Sequence, residues 1–283
     1  MSDSMAGKTV LITGANSGIG LVTATALAGM GARIILACRR ADAAEQAVAH
    51  IQQHCPGARV ETVALDLASL QRVRRAAAEV RERYQRIDVL INNAGLASVR
   101  REISEDGFEK TFATNHLGPF LFTHLLRSVI NPDGGRIINV ASQAHRMGRM
   151  HWDDLQLTRG YWVMKAYAQS KLANILFTRA LAQRLKGTGV TVNALHPGAV
   201  STRIWPEDTW YERAFSRALK LFLISPEKGA RTSIWLASGA EGGRSQGGYF
   251  EACTPRTPSA RATDDAAAER LWAISAALTG TDA

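Results

Sequence analysis

Short runs rich in Val and Ile alternate with longer segments of helical period along almost the whole chain. Apolar runs of this kind suit strands buried on both faces, which belong to parallel sheets whose crossovers are helices. Strands are expected near 8–13 (KTVLIT), 33–38 (RIILAC), 59–65, 88–92, 136–141, 190–195 and 248–251. Helical patterning covers 18–30, 41–54, 69–84, 104–130 and 163–186, followed by a less regular stretch over 201–240. The last piece, about 263–279, reads as a helix that docks through Leu271, Trp272 and Ile274. The expectation is an α/β fold: a doubly wound three-layer sandwich around a seven-stranded parallel sheet, in one domain over residues 1–283.

Several function classes recede on composition. No window reaches the roughly 20 apolar residues of a membrane span, and the N-terminus enters the first strand without a signal-like segment. A soluble, cytoplasmic protein is expected. Cys38, Cys55 and Cys253 are scattered and odd in number, which argues against a disulfide framework. His50 and His54 stand four apart beside Cys55, but no second ligand cluster accompanies them, and no metal site is expected. The net charge of +9 is carried by arginines spread along the chain, with clusters at 72–86 and 136–149. That spread describes a basic solvated surface, and no nucleic-acid partner is expected.

The first strand runs directly into TGANSGIG, with Gly14, Gly18 and Gly20 leading into a helix. Glycines at such a turn let the backbone approach a pyrophosphate, and the helix N-terminus favours its charge. Asn16, Ser17 and Ile19 complete the turn, and the placement between strand and helix points to a Rossmann-type dinucleotide site rather than a tight βα turn with no ligand. The end of the second strand selects the dinucleotide. An acid there would bond the ribose 2′-hydroxyl of NAD; this chain has Cys38 and then Arg39 and Arg40, of which Arg39 is the candidate for a 2′-phosphate. NADP(H) is the expected cofactor.

Residues 161–171, YWVMKAYAQSK, hold two tyrosine–lysine pairs spaced four apart: Tyr161 with Lys165, and Tyr167 with Lys171. Lys171 leads straight into LANILFTRALAQRL, so the second pair shares the first turns of a long helix. Tyr161 follows Arg159-Gly160, where a loop is expected, and with Trp162 it either lines the substrate cleft or packs beneath the loop. A phenol beside an ammonium is a candidate acid/base, because the positive charge favours phenolate and lowers a pKa that is ordinarily about 10.

The glycine turn, NNAG at 92–95 and YAQSK at 167–171 together resemble the short-chain dehydrogenase/reductase family, over nearly the whole chain. LACR, ATNHLGPF, SKLANILFTRALAQRL and VTVNALHPG are most similar to its retinol dehydrogenase-like branch. The resemblance implies an oxidoreductase that interconverts a carbonyl and an alcohol. It assigns Asp66 and Leu67 to the adenine, Asn93, Ala94 and Gly95 to the middle of the cofactor, and Pro197, Gly198 and Thr202 to its nicotinamide end. Asn115, Ser142, Tyr167 and Lys171 match the catalytic set. Ser142 would hold the substrate oxygen, Tyr167 would be acid or base, Lys171 would tune it and bond the ribose, and Asn115 would hold a relay water. Ala141 stands where many relatives have a first serine, and Ser142 takes the place that carries the role.

Met164 occupies the place seven before Lys171 where enoyl reductases of this superfamily keep their tyrosine, which disfavours reduction of a carbon–carbon double bond. The stretch 201–224 matches the substrate lid, and its Trp205, Trp210, Tyr211, Phe215 and Phe222 suit a lipophilic or aromatic small molecule, or else the buried face of an amphipathic helix. By the same resemblance a homodimer would pair through helices at 115–130 and 163–186. A non-catalytic NADP(H)-binding regulator on the same fold is the competing reading.

Overall fold

The computed structural model describes residues 4–198 and 224–282. Its strands are β1 (Thr9–Thr13), β2 (Arg33–Cys38), β3 (Val60–Ala64), β4 (Val89–Asn92), β5 (Arg136–Val140), β6 (Thr191–His196), β7 (Tyr249–Glu251) and β8 (Thr254–Pro255). They form one sheet in the order β3-β2-β1-β4-β5-β6-β7-β8. The seven expected strands are parallel, and β8 adds a two-residue antiparallel edge beyond them. Strand order reverses between β1 and β4, and the crevice at such a switch point, outside the carboxyl ends of the strands, is where sheets of this kind bind ligands.

Helices α1 (Gly18–Gly29), α2 (Ala41–His54), α3 (Leu70–Arg83), α4 (Lys110–Phe112), α5 (Gly118–Leu126), α6 (Val163–Arg184), α7 (Pro226–Ser238) and α8 (Asp265–Thr279) complete the described architecture. Side chains of a strand alternate between faces, and the two cores follow that alternation. Val10, Ile12, Ile34 and Leu36 pack with Leu27, Ile51 and Leu236 from α1, α2 and α7. Leu11, Ile35 and Leu90 pack on the other face with Val73, Phe120 and Leu176 from α3, α5 and α6.

The single helix expected over 104–130 is instead broken. Gly107 turns at φ +84°, and the Ser104 amide donates to the Phe108 carbonyl at 2.7 Å, so helix begins only at Lys110. Buried Glu109 caps it, its carboxylate accepting from the Thr111 and Phe112 amides at 2.8 and 2.7 Å. A π-helical turn at Ala113–Leu117 then joins α4 to α5.

α8 starts on Asp264, whose carboxylate accepts from the Ala267 amide at 3.0 Å, and stops at Gly280 in the left-handed region. It lies on α6 and α5. Trp272 meets Phe120 edge-on at 4.9 Å and stacks near Phe177 at 6.0 Å, while Arg179–Asp265 and Arg184–Glu269 ion pairs flank the contact. The aromatic face of α5 and α6 is therefore covered by the chain's own last helix. Trp272→Ala should cost about 3–5 kcal/mol of stability, the usual range for emptying a buried aromatic site. Urea unfolding of the variant checks this, and an unchanged midpoint would show that α8 docks without it.

Candidate active site

The glycine turn after β1 has the shape a dinucleotide phosphate needs. Gly14 lies at φ +64°, and a Cβ there would stand 2.9 Å from Ala94. A Cβ on Gly20 would stand 2.6 Å from the Gly14 carbonyl oxygen. Ser17 is the N-cap of α1, yet its side chain makes no capping bond and the first turn carries no acid. The amides of that first turn therefore keep their capacity for an anion, and Gly14, Asn16, Ser17, Gly18, Ile19 and Gly20 fit the phosphates of a dinucleotide.

Thr13, not singled out by sequence reasoning, secures this turn: its hydroxyl accepts from the Asn93 and Ala94 amides, each at 3.0 Å. The Asn93 side chain donates to the Thr13 carbonyl at 2.8 Å and so braces the turn.

At the end of β2 the Cys38 thiol is buried against the Ala15 and Asn16 amides, and burial pushes it up to about 11, so it adds no negative charge. Arg40 pairs with Asp42 at 2.6 Å. Arg39 is exposed and has no partner among the described residues. The Asp66 carboxylate accepts from the Ala68 amide at 3.1 Å, and Leu67 is buried where Gly118 allows α5 to pass close to its carbonyl.

The expected catalytic side chains converge at the carboxyl ends of β4 and β5. Ser142 follows β5 and caps a short 3-10 turn (Gln143–Arg146), its hydroxyl accepting from the Ala144 amide at 3.2 Å. The Tyr167 phenol faces that hydroxyl, whose influence favours its ionised form. Lys171, one turn further along α6, sends its ammonium to the Val140 carbonyl at 2.9 Å and stands 5.6 Å from the centre of the Tyr167 ring. Asn115, in the π turn, clasps Leu96 through both backbone groups at 2.8 Å and donates to Ser170 of α6 at 3.0 Å. A Cβ on Gly95 would lie 3.3 Å from the Lys171 ammonium and 3.4 Å from Asn115 Oδ1, so glycine is what lets the three meet.

The electrostatics differ from expectation in one respect. Tyr167 sits among Ala97, Ala144 and Ala168, with Val163 and Met164 beside them, and burial raises its pKa although the Ser142 hydroxyl opposes the shift. Lys171 is buried as well and is pushed down to about 8. Desolvation dominates at both groups and favours the neutral form of each.

Tyr161 lies outside α6, in the loop before its N-cap, and its phenol donates to the Ser98 carbonyl at 2.6 Å. Burial pushes it up to about 12. Lys165 turns to the Gly160 carbonyl at 3.5 Å, so the first tyrosine–lysine pair does not form. Pro197 and Gly198 follow β6 at the same edge, Gly198 at φ +94°. Thr202 and the lid residues 201–223 lie outside the described residues. Among the described residues no three His, Cys, Asp or Glu side chains gather as a metal set, and no helix is long and apolar enough to cross a membrane.

A glycine turn at the switch point beside a Ser–Tyr–Lys cluster defines a dinucleotide-dependent oxidoreductase. A family model for short chain dehydrogenases matches residues 8–211. Human retinol dehydrogenase 13 is 44% identical over 284 residues, covering 98% of this chain and 86% of that protein. Human retinol dehydrogenase 14 is 42% identical over 293 residues, covering 98% and 87%. A crystal structure of an uncharacterised protein from Mycobacterium paratuberculosis is 37% identical with a TM-score of 0.80, covering 98% of this chain and 95% of that one. A short chain dehydrogenase from Escherichia coli CFT073, complexed with NADPH, shares the fold at a TM-score of 0.70 and 24% identity, covering 89% and 99%. The chain belongs to the short-chain dehydrogenase/reductase family, in its retinol dehydrogenase-like branch.

Burying the Lys171 ammonium opposes folding, and removing it makes that visible. Between about 8 and 10.5, its folded and ordinary values, the unfolded chain binds the extra proton, so stability should rise with pH. Lys171→Met should raise stability at neutral pH and flatten this rise. Thermal melts from pH 7 to 10 compare the two proteins, and a Met variant less stable than wild type at every pH would show that the ammonium holds the site together.

Proposed function

We propose that the protein is an NADP(H)-dependent oxidoreductase that interconverts a ketone or aldehyde and its alcohol on a lipophilic small molecule. The observation that carries this reading is the Tyr167 phenol facing Ser142 beside buried Lys171, at the edge where the glycine turn opens. A nicotinamide dinucleotide held by the glycine turn would supply or accept the hydride. Ser142 holds the substrate oxygen, and Tyr167, a phenol whose burial further favours the protonated form, donates to that oxygen in reduction. Lys171 keeps positive charge beside the phenol as its proton leaves, and Asn115 fixes the Leu96 segment and α6 so that the two side chains stay at one height.

Arg39 supports the choice of NADP(H), since Cys38 is neutral and Arg40 is neutralised by Asp42, leaving one guanidinium for a 2′-phosphate. The apolar substrate is supported by the names of the retinol dehydrogenase relatives and by an exposed rim on this side of the sheet. Trp162 is 63% exposed and Met147 68% exposed, beside the start of α6 and the Ser142 turn. A homodimer remains a proposal, and its surface would have to be other than the aromatic face that α8 covers.

A panel of apolar aldehydes and ketones, followed by NADPH oxidation, tests the reading. Tyr167→Phe should lose about a hundredfold to ten-thousandfold in kcat with NADPH affinity kept. A protein that binds NADPH and reduces nothing would favour the regulator. Arg39→Asp should shift the NADPH-to-NADH preference roughly tenfold to a hundredfold, the worth of one charge-assisted bond of about 1.5–3 kcal/mol; an unchanged ratio would defeat that assignment. Reduction should slow as pH rises through about 8, where Lys171 loses its proton, while alcohol oxidation should continue to rise. Parallel profiles in the two directions would count against a phenol that donates.

A further inference from the structure

The peptide unit that follows Ser142 is gripped at both polar ends by imidazoles. Its carbonyl, that of Ser142, accepts from His145 Nδ1 at 2.6 Å, and its N–H, that of Gln143, donates to His196 Nδ1 at 3.2 Å. A carbonyl offers only lone pairs and an amide N–H only a proton, so these partners fix the state of each ring. His145 carries its proton on Nδ1 and accepts the Ser259 amide on Nε2 at 3.1 Å. His196 presents a bare Nδ1 and carries its proton on Nε2. The two rings are opposite neutral tautomers on one peptide plane.

Neither ring is a surface accident. Both are buried, and burial lowers the basicity of each, His196 to about 4. His196 ends β6, the neighbour of the strand that delivers Ser142. His145 is wedged edge-on against Tyr249 of β7 at 5.1 Å and tied to the segment beyond β8 through Ser259. Gln143 and Arg146 of the same turn reach Glu251 at 2.9 Å and the Thr257 carbonyl at 2.8 Å. Two regions distant in sequence thus hold one backbone unit.

We propose that His145 and His196 are positioning residues that clamp the Ser142–Gln143 peptide and so aim the Ser142 hydroxyl at the substrate oxygen. The inference rests on the reading of Ser142 given above. The orientation of this peptide sets ψ of Ser142, here 156°, and with it the side-chain direction that lets Oγ meet both the Ala144 amide and the Tyr167 phenol. A plane free to rock would move Oγ, and small misplacements at a reacting centre cost on the order of a hundredfold in rate.

Four substitutions separate positioning from packing. His145→Asn keeps a donor near the Nδ1 place and His196→Asn keeps an acceptor there, whereas His145→Phe and His196→Leu keep neither. The Phe and Leu variants should lose about tenfold to a hundredfold in kcat with KM for NADPH unchanged, and the Asn variants should recover most of it. Folded Phe and Leu variants with wild-type kcat, or Asn variants no better than they are, would overturn the proposal while sparing the reductase reading. Nitrogen-15 NMR of the wild-type rings should show the Nδ1–H tautomer for His145 and Nε2–H for His196. The opposite tautomer in either ring would overturn the clamp even where a variant fails to fold. Should the wild type reduce no carbonyl, the reductase reading fails, and the tautomers still decide the clamp.

Discussion

An ammonium buried at the end of β5 is the demand around which the active edge of this protein is organised. Lys171 is 3% exposed and finds its hydrogen-bond acceptor in the Val140 carbonyl, one of the strand-end carbonyls at the crevice. A buried charge is tolerated only where polar groups replace the water it has left. Here the replacements come from backbone: the carbonyl end of a parallel strand, with Asn115 and the bare backbone of Gly95 close by. The same arrangement dictates small residues around it, since any Cβ at Gly95 would press on the amine. Chemistry and packing therefore constrain the same atoms.

Height along the sheet is set by a second, fully buried polar chain. Asn92 of β4 donates to Thr123 of α5 at 2.9 Å and to Asn139 of β5 at 2.8 Å, and Asn139 donates to Thr178 of α6 at 2.9 Å. Apolar contacts permit helices to slide over a sheet with little change in area, whereas a hydrogen bond in a low-dielectric interior is lost by such a shift. The chain thus locks α5 and α6 to two adjacent strands, two turns beyond Lys171. Asn115 performs the same service nearer the chemistry, joining the Leu96 segment to α6 through Ser170.

What the sequence disclosed was local, and what it hid was assembled from afar. Strand period, the glycine turn and the start of the helix that carries Tyr167 but not Tyr161 each depend on residues within one or two elements, and each lies where the sequence pattern puts it. The long helix at 104–130 failed because a helical period does not register a glycine turn at Gly107 or a carboxylate folded back as a cap at Glu109. Strand β8 has only two residues, too few for any pattern to show. Asn92, Asn139 and Thr178 come from three separate segments, and a lone Asn in an apolar strand has no period by which to announce a partner. His196 is like them: it is an isolated histidine in the sequence, and only the pairing of β5 with β6 brings it to the peptide whose carbonyl His145, three residues on from Ser142, bonds locally.

The direction of the tyrosine's shift carries a further consequence. Spacing reads Tyr167 and Lys171 as an ion-pair-like couple, in which the ammonium eases the phenol toward phenolate. Burial acts the other way, because removing water penalises both charged forms, and the ammonium stands 5.6 Å from the ring centre. The chain's own residues consequently prepare a proton donor. Oxidation of an alcohol asks for the phenolate, and that form has to draw on positive charge beyond what Lys171 provides from its place at the Val140 carbonyl. The environment that favours the protonated phenol is the apolar ring of Ala97, Ala144 and Ala168 around it.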